Sequence, residues 1–177
     1  MCFHFCSTLC SHCFKVYDLD DSNDTVTVNG FHESPDRHSH PVRIPFPFTY
    51  FGQQKENITI TTEGFLSLRD LNVASMSMMK VQQISALRAD FVVKNGSSDI
   101  RHLLTPNGEE FVVEWKDVVL QQSDNQEPFH FQIVLSKNGT VTLNYIRVPD
   151  SFQQIANRNA SSKDSNSLDI AGMSGKL

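Results

Sequence analysis

The feature that most constrains the fold of this chain is the alternation of apolar and polar residues with a period of two, which is typical of strands with one buried face. It is clearest from Phe131 to Tyr145, on both sides of Asn138-Gly139. A two-residue loop would pair Leu135 with Thr142 and mix the two faces, whereas a three-residue loop pairs Leu135 with Val141. The pattern therefore predicts a hairpin with the loop Lys137–Gly139 and with Gly139 in a left-handed bulge position. The same register pairs Ile133 with Leu143 and Phe131 with Tyr145.

A second hairpin is predicted around Asn107-Gly108, which fits a tight turn. The segment after it places Phe111, Val113 and Trp115 on one face, with Val112, Glu114 and Lys116 opposite. A two-residue loop would set Ile100, His102 and Leu104 against Trp115, Val113 and Phe111. Trp115 is expected to pack in the core, and His102 to be a structural histidine on the same face.

Four further segments have strand character. Thr25–Asn29 alternates, with Val26 and Val28 on one face. In Val42–Phe48 the prolines exclude a central strand but allow an edge strand or a strand end. Asn57–Thr62 places Ile58 and Ile60 inward and Asn57, Thr59 and Thr61 on the solvent face. Ile84–Val93 is expected to be one buried strand.

These segments predict an all-β fold, a β-sandwich of about eight to ten mostly antiparallel strands. The acidic stretch Val16–Asp24 is predicted to be a loop, and Ser75–Lys80 fits either a short helix or a crossing loop. Leu168–Ser174 has the pattern of a last strand, and its abrupt end is what a domain truncated at its C-terminus would show.

The chain of 177 residues suits one domain, which we expect to span residues 16–177. Residues 1–15 are expected to be a leader-like or non-native segment. They include all four cysteines, at Cys2, Cys6, Cys10 and Cys13. Their role is left open between a discarded leader, disulfides and, least favoured, zinc.

Charge and hydropathy exclude two classes of partner. The formal net charge is −5 and no run of Lys or Arg occurs, which argues against nucleic acid and against an anionic membrane surface. No apolar stretch reaches about 18 residues, so the sequence contains no predicted transmembrane helix.

Five Asn-X-Ser/Thr sequons indicate a secreted chain, because such sites accept a glycan only in the secretory pathway. We expect roughly two by chance in a polar sequence of this length, so the excess favours an extracellular glycoprotein. The predicted acceptors are Asn23, Asn57, Asn95, Asn138 and Asn159.

Several blocks of the sequence resemble nidogen-type extracellular domains. Pro45–Gly52 is similar to an "fPFyG" block that precedes a strand and a Gly-Phe pair, here Ile58–Phe65. The order of Ile84–Phe91, Phe111–Val118 and Phe129–Leu135 is similar to that in the plexin domain-containing proteins, also called tumour endothelial markers. That resemblance implies a cell-surface receptor-like glycoprotein, attached by a transmembrane helix that is absent here. It also implies a protein ligand, either a secreted serpin-type factor or a matrix protein.

The sequence offers no strong catalytic or metal motif. It lacks the Gly-X-Ser-X-Gly elbow, the His-Glu-X-X-His zinc motif, the P-loop and the dinucleotide-binding glycine motif. Two weak metal candidates are a histidine-containing loop and an acidic stretch, and both are better interpreted as solvated loops. Their members are His32, His38 and His40, and Asp18, Asp20, Asp21 and Asp24. We therefore expect no enzyme activity, no cofactor and no metal.

The leading hypothesis is an extracellular recognition module that binds a secreted or matrix protein. Its contacts would come from an edge strand or from loops at one end of the sandwich. Phe48, Tyr50 and Phe51 are candidate exposed anchors, although the same block could simply cover the core. The alternatives are an inert glycosylated spacer and a metal-dependent sandwich hydrolase.

Overall fold

The computed structural model describes residues 15–29, 31, 38–68, 82–94, 96–121 and 127–149. These residues form ten strands and contain no helix, so they include no helix of the length and apolarity that a bilayer span needs. The strands are β1 Val26–Thr27, β2 Ser39–Tyr50, β3 Gln53–Thr61, β4 Phe65–Ser67, β5 Gln83–Ser85, β6 Phe91–Val92, β7 Asp99–Leu104, β8 Glu110–Leu120, β9 Phe129–Ser136 and β10 Val141–Arg147.

All strand pairs are antiparallel and form two sheets, which confirms the predicted all-β sandwich. The six-stranded sheet has the order β1-β7-β8-β9-β10, and β6 pairs with the C-terminal end of β8. The four-stranded sheet has the order β2-β3-β4-β5.

Trp115 of β8 lies at the centre of the core between the sheets and is fully buried. Its ring stacks on Phe131 of β9 with centroids 5.1 Å apart, and its Nε1–H donates to the Thr61 carbonyl of β3 at 2.9 Å. This bond joins the two sheets and satisfies the one polar atom of the indole. The packing role predicted for Trp115 is confirmed.

The predicted register of the β9–β10 hairpin is confirmed, and the β7–β8 hairpin has the register that a two-residue loop would set. In β9–β10 Leu135 pairs with Val141, and Gly139 has a φ of +89°, as the three-residue loop requires. In β7–β8 Ile100 pairs with Trp115 and Leu104 with Phe111. The Asn107-Gly108 turn is closed by the Gly108 N–H, which donates to the Thr105 carbonyl at 2.8 Å.

Among the described strands, the proline-containing β2 pairs only with β3 and lies at the edge of its sheet, one of the two positions that its prolines allow. Its register shifts between Arg43 and Phe48, across the Pro45-Phe46-Pro47 segment. Pro has no N–H for the ladder, and a bulge on an edge strand is where two prolines are tolerated.

Two expectations about individual segments are wrong. Ile84–Val93 is not one strand, because β5 lies in the four-stranded sheet and β6 in the other, and the chain crosses between them. Thr59 and Thr61 are buried, not solvent-facing, and the Thr61 hydroxyl donates to the Phe65 carbonyl at 2.8 Å. Val26 and Val28 share the face of the sheet that is turned to the core, but Val26 is 50% exposed because β1 has only two residues at the sheet edge.

The loop predicted for Val16–Asp24 has no strand, but it is not simply a solvated acidic segment, because Leu19 is buried. Several other predictions lie outside the described residues: those for residues 1–14, 75–80 and 168–174, and that for His32.

Candidate binding surface

A row of four polar residues crosses the outer face of the six-stranded sheet. Arg101 of β7 pairs with Glu114 of β8, Glu114 with Gln132 of β9, and Gln132 with Asn144 of β10. All four side chains are buried. We call these four residues the polar row.

Glu114 is the centre of the polar row. Its Oε2 accepts from the Arg101 guanidinium, with Nε at 2.9 Å, and its Oε1 accepts from Gln132 Nε2 at 2.9 Å. His130 Nε2 lies 2.9 Å from the same Oε1. Burial acts to raise the pKa of Glu114, but the bonds from His130, Gln132 and Arg101 outweigh it and lower the pKa.

The segment Lys15–Asp20, here called the strap, covers the polar row. The Gln132 side chain bonds both backbone groups of Tyr17, donating to the carbonyl at 2.6 Å and accepting from the N–H at 3.2 Å. Asn144 Nδ2 donates to the Lys15 carbonyl at 2.9 Å. Leu19 of the strap packs on a small apolar cluster of Leu103, Val112 and Val134.

Two ionisable strap residues are also tied to the sheet. The Tyr17 hydroxyl donates to Glu110, and burial together with this bond raises the pKa of Tyr17 to about 12. Asp20 accepts from Lys116 at 2.7 Å and from Arg101 at 2.6 Å, which lowers the pKa of Asp20 to about 2. The strap thus supplies the partners that a buried polar row needs, so this face is closed and structural.

The weak metal candidates are not brought together. Asp20 bonds two cationic side chains, and the described residues contain no group of three or more His, Cys, Asp or Glu placed to hold a metal. The rings of His38 and His40 pack against Phe31 with centroids 6.0 and 6.4 Å apart. His102 is half-buried beside Phe111, and burial followed by the charge of His40 lowers the pKa of His102.

Three hairpin turns meet at one end of the sandwich, which we call the hairpin end: Phe51-Gly52, Pro106–Glu109 and Lys137–Gly139. The Lys137 N–H donates to the Glu109 carbonyl at 2.8 Å, and its Nζ lies 3.2 Å from Glu109 Oε1. The Thr49 carbonyl lies 3.3 Å from where a Cβ at Gly139 would stand. These contacts make the three turns one continuous surface.

Phe51 is the most exposed large apolar side chain of the hairpin end, at 86%. It forms a two-residue turn with Gly52, and the φ values of +46° and +75° are the pattern of a type I′ turn. Asn or Gly normally fills the first position, because a side chain with a Cβ is strained at positive φ. The ring of Tyr50 packs edge-on against Phe51 with centroids 4.6 Å apart.

The expectation that Phe48 is an exposed anchor is wrong, because it is 0% exposed and belongs to the core. The alternation along β2 explains the difference, since Ile44, Phe46 and Phe48 share the inward face. Tyr50 is half-buried and Phe51 exposed. Contact roles for Tyr50 and Phe51 remain predictions.

An open cleft of about 420 Å³ lies on the four-stranded sheet behind the Phe51 turn. It occupies the β2 bulge, and its lining combines apolar proline rings with one cation and one carboxylate. The lining residues include Arg43, Pro45, Pro47, Gln54 and Glu56.

Three of the five predicted sequon asparagines lie in the described part of the chain, and all three are exposed. Asn23 is in a turn before β1, Asn57 is on β3 opposite Arg43, and Asn138 is in the Lys137–Gly139 turn. Asn95 and Asn159 lie outside the described residues.

The polar row is the feature that the sequence analysis missed. The sequence does contain a signal for the polar row, because the registers of the two hairpins pair Arg101 with Glu114 and Gln132 with Asn144. The pairing of β8 with β9, which joins these pairs, needs the sheet order.

The chain matches the model of the family described as NIDO related over residues 16–176. No solved structure matches the chain.

Proposed function

Because the chain belongs to the NIDO-related family, we propose that it is a non-catalytic extracellular recognition module that binds a secreted or matrix protein through its hairpin end. The Phe51 turn carries this proposal. A large aromatic side chain is almost fully exposed there, in a backbone conformation that disfavours it. A strained backbone at an exposed residue is typical of functional positions, because the packing of the core does not require that conformation.

The surface around Phe51 suits a protein partner. Phe51 and Tyr50 supply an aromatic pair, and the neighbouring cleft adds Arg43 and Glu56 at its wall. Interface centres are commonly built from aromatic anchors with charged groups at the rim. The edge of β2 lies beside them but its prolines limit backbone pairing with a partner strand.

The proposal also includes a more specific family assignment. The resemblance of the hairpin blocks to plexin domain-containing proteins suggests the ectodomain of a receptor-like cell-surface glycoprotein. A serpin-type secreted factor or a matrix protein is the corresponding ligand class.

An inert glycosylated spacer is the second candidate. It is favoured by the exposure of Asn23, Asn57 and Asn138, which lie on three different parts of the fold. Glycans at all three positions would cover much of the described surface.

The test measures whether the secreted chain binds to surfaces coated with purified matrix proteins or with a secreted serpin. The chain is measured with its carbohydrate intact and again after the carbohydrate has been removed enzymatically. A recognition module binds at least one coating saturably and loses that binding on Phe51→Ser. A spacer binds none of them in either state.

A further inference from the structure

The turn that contains the sequon Asn138-Gly139-Thr140 lies against the strand that leads into the Phe51 turn. The Thr49 carbonyl is 3.3 Å from the position of a Cβ at Gly139, which is tighter than most Cβ contacts and shows that the two segments touch. Thr49 is two residues from Phe51, and Gly139 directly follows Asn138. The most exposed aromatic ring of the described residues and an exposed glycan acceptor are thus on adjacent turns.

The local geometry of Asn138 leaves its acceptor atom accessible. The side chain is exposed, and its Oδ1 accepts from the Thr140 N–H at 2.9 Å. This bond fixes the side chain through its oxygen and does not involve Nδ2, the atom to which a glycan is attached. In glycosylation Nδ2 displaces the diphosphate of a lipid-linked oligosaccharide and loses one proton to the transferase.

The chemistry of the ring matches that of a sugar. One face of a pyranose carries only C–H groups, with slightly positive hydrogens, and the face of an aromatic ring is negative. Stacking the two also removes apolar surface from water. Phe51 presents such a surface and Tyr50 supports it edge-on.

We infer that the first N-acetylglucosamine linked to Asn138 packs on the Tyr50–Phe51 aromatic pair of the neighbouring hairpin. The carbohydrate then covers the surface by which the module is proposed to bind protein. This part of the inference rests on the proposed function. Glycosylation of Asn138 then controls whether a protein partner can reach Phe51.

The packing is tested without any partner by a double-mutant cycle on thermal stability. The full chain is secreted behind an added leader, and its glycans are trimmed to one N-acetylglucosamine. Thr140→Ser retains the sequon and Thr140→Val removes it, each in combination with Phe51 or Phe51→Leu. Glycopeptide mass spectrometry reports whether Asn138 is occupied.

We expect Asn138 to be occupied and the sugar to raise Tm by about 2–4 °C with Phe51. With Phe51→Leu the gain falls to less than half. Equal gains in the two backgrounds, or an unoccupied Asn138, would overturn the inference. Asn57→Gln is the matched control, since loss of that glycan should shift Tm equally with Phe51 and with Phe51→Leu.

Binding of the same proteins to the purified matrix and serpin coatings separates this inference from the proposed function. We expect Thr140→Val to bind about tenfold tighter than Thr140→Ser when Phe51 is present. Equal affinities would contradict the claim that the Asn138 glycan limits access to Phe51. If none of the proteins binds but the stability coupling is found, the proposed function fails and the packing stands. If Phe51→Leu weakens binding without any coupling, the inference fails and the function stands.

Discussion

The carbonyl oxygen of Leu87 lies against Gly64, 1.9 Å from the point where a Cβ atom of residue 64 would stand. Gly64 has a φ of +78°, and next to it the Ala89 N–H donates to the Glu63 carbonyl at 3.2 Å. This contact fixes the place where the chain leaves β5 for β6 and changes sheets.

We expect Gly64→Ala to destabilise the fold by more than about 3 kcal/mol, because the backbone at Leu87 has to move and Ala is also strained at positive φ. Gly108→Ala is the matched control. Its φ is +69°, but no atom lies within 4 Å of the new Cβ, so only the backbone strain of about 1–2 kcal/mol remains. Urea denaturation measures both, and equal losses would contradict the role of the Leu87 contact.

Arg101→Met should destabilise the fold by about 3 kcal/mol, because it leaves the buried Glu114 carboxylate without its cation. The double variant with Glu114→Gln should lose less than Arg101→Met alone, since no buried charge remains. The free energies of unfolding of the two single variants and the double variant provide the test. If the loss of the double variant equals the sum of the two single losses, Arg101 and Glu114 do not stabilise each other.

Stability should fall in acid because of two carboxyls whose pKa values are lowered in the folded chain. The pKa of Asp20 is about 2 against an ordinary 3.8, and that of Glu114 is lowered from 4.5. A lowered folded pKa gives stability that is present above the ordinary value and is lost as pH falls through the folded value. The loss should therefore begin near pH 4.5 and continue towards pH 2.

The measurement is the urea midpoint as a function of pH. Asp20→Ala combined with Glu114→Gln should give a smaller fall between pH 5 and pH 2 than the unaltered chain. A fall of the same size in both would assign the acid sensitivity to other carboxyls.

Phe51→Asn should make the fold more stable by about 0.5–1 kcal/mol, because Asn-Gly is the preferred pair for a turn with positive φ at both positions. The lost ring contact with Tyr50 offsets part of the gain. Thermal unfolding measures the change in the Thr140→Val chain, whose turn carries no glycan. A clear loss of stability would mean that Phe51 is kept for packing, which would remove the argument that it serves binding.

Much of the fold could be predicted because the hairpins carry their own register. At Leu135 and Val141 only one loop length keeps the apolar faces together, and the structure has that loop. The sheet crossing at residues 86–90 could not be predicted, because Ile84, Phe91 and Val93 are all buried and an apolar run does not show which sheet each residue joins.

The candidate site was predicted in part. The Pro-Phe block led to Phe51, but Phe48 is turned inward by the same two-residue alternation that identifies strands. The polar row was overlooked because Glu114 and Gln132 look like ordinary solvent-facing positions. They are buried only because the strap, which has no periodic pattern, folds over them.

The most direct test of the proposed recognition role is the affinity of Phe51→Ser for the purified matrix and serpin coatings, measured in the Thr140→Val background so that the turn carries no carbohydrate. Val26→Ser is the control, because Val26 is also an exposed apolar residue but lies on β1 at the edge of the other sheet. We expect Phe51→Ser to weaken binding by tenfold or more and Val26→Ser to leave it within twofold. Equal affinity of Phe51→Ser and the parent chain, or no binding by the parent chain, would contradict the account.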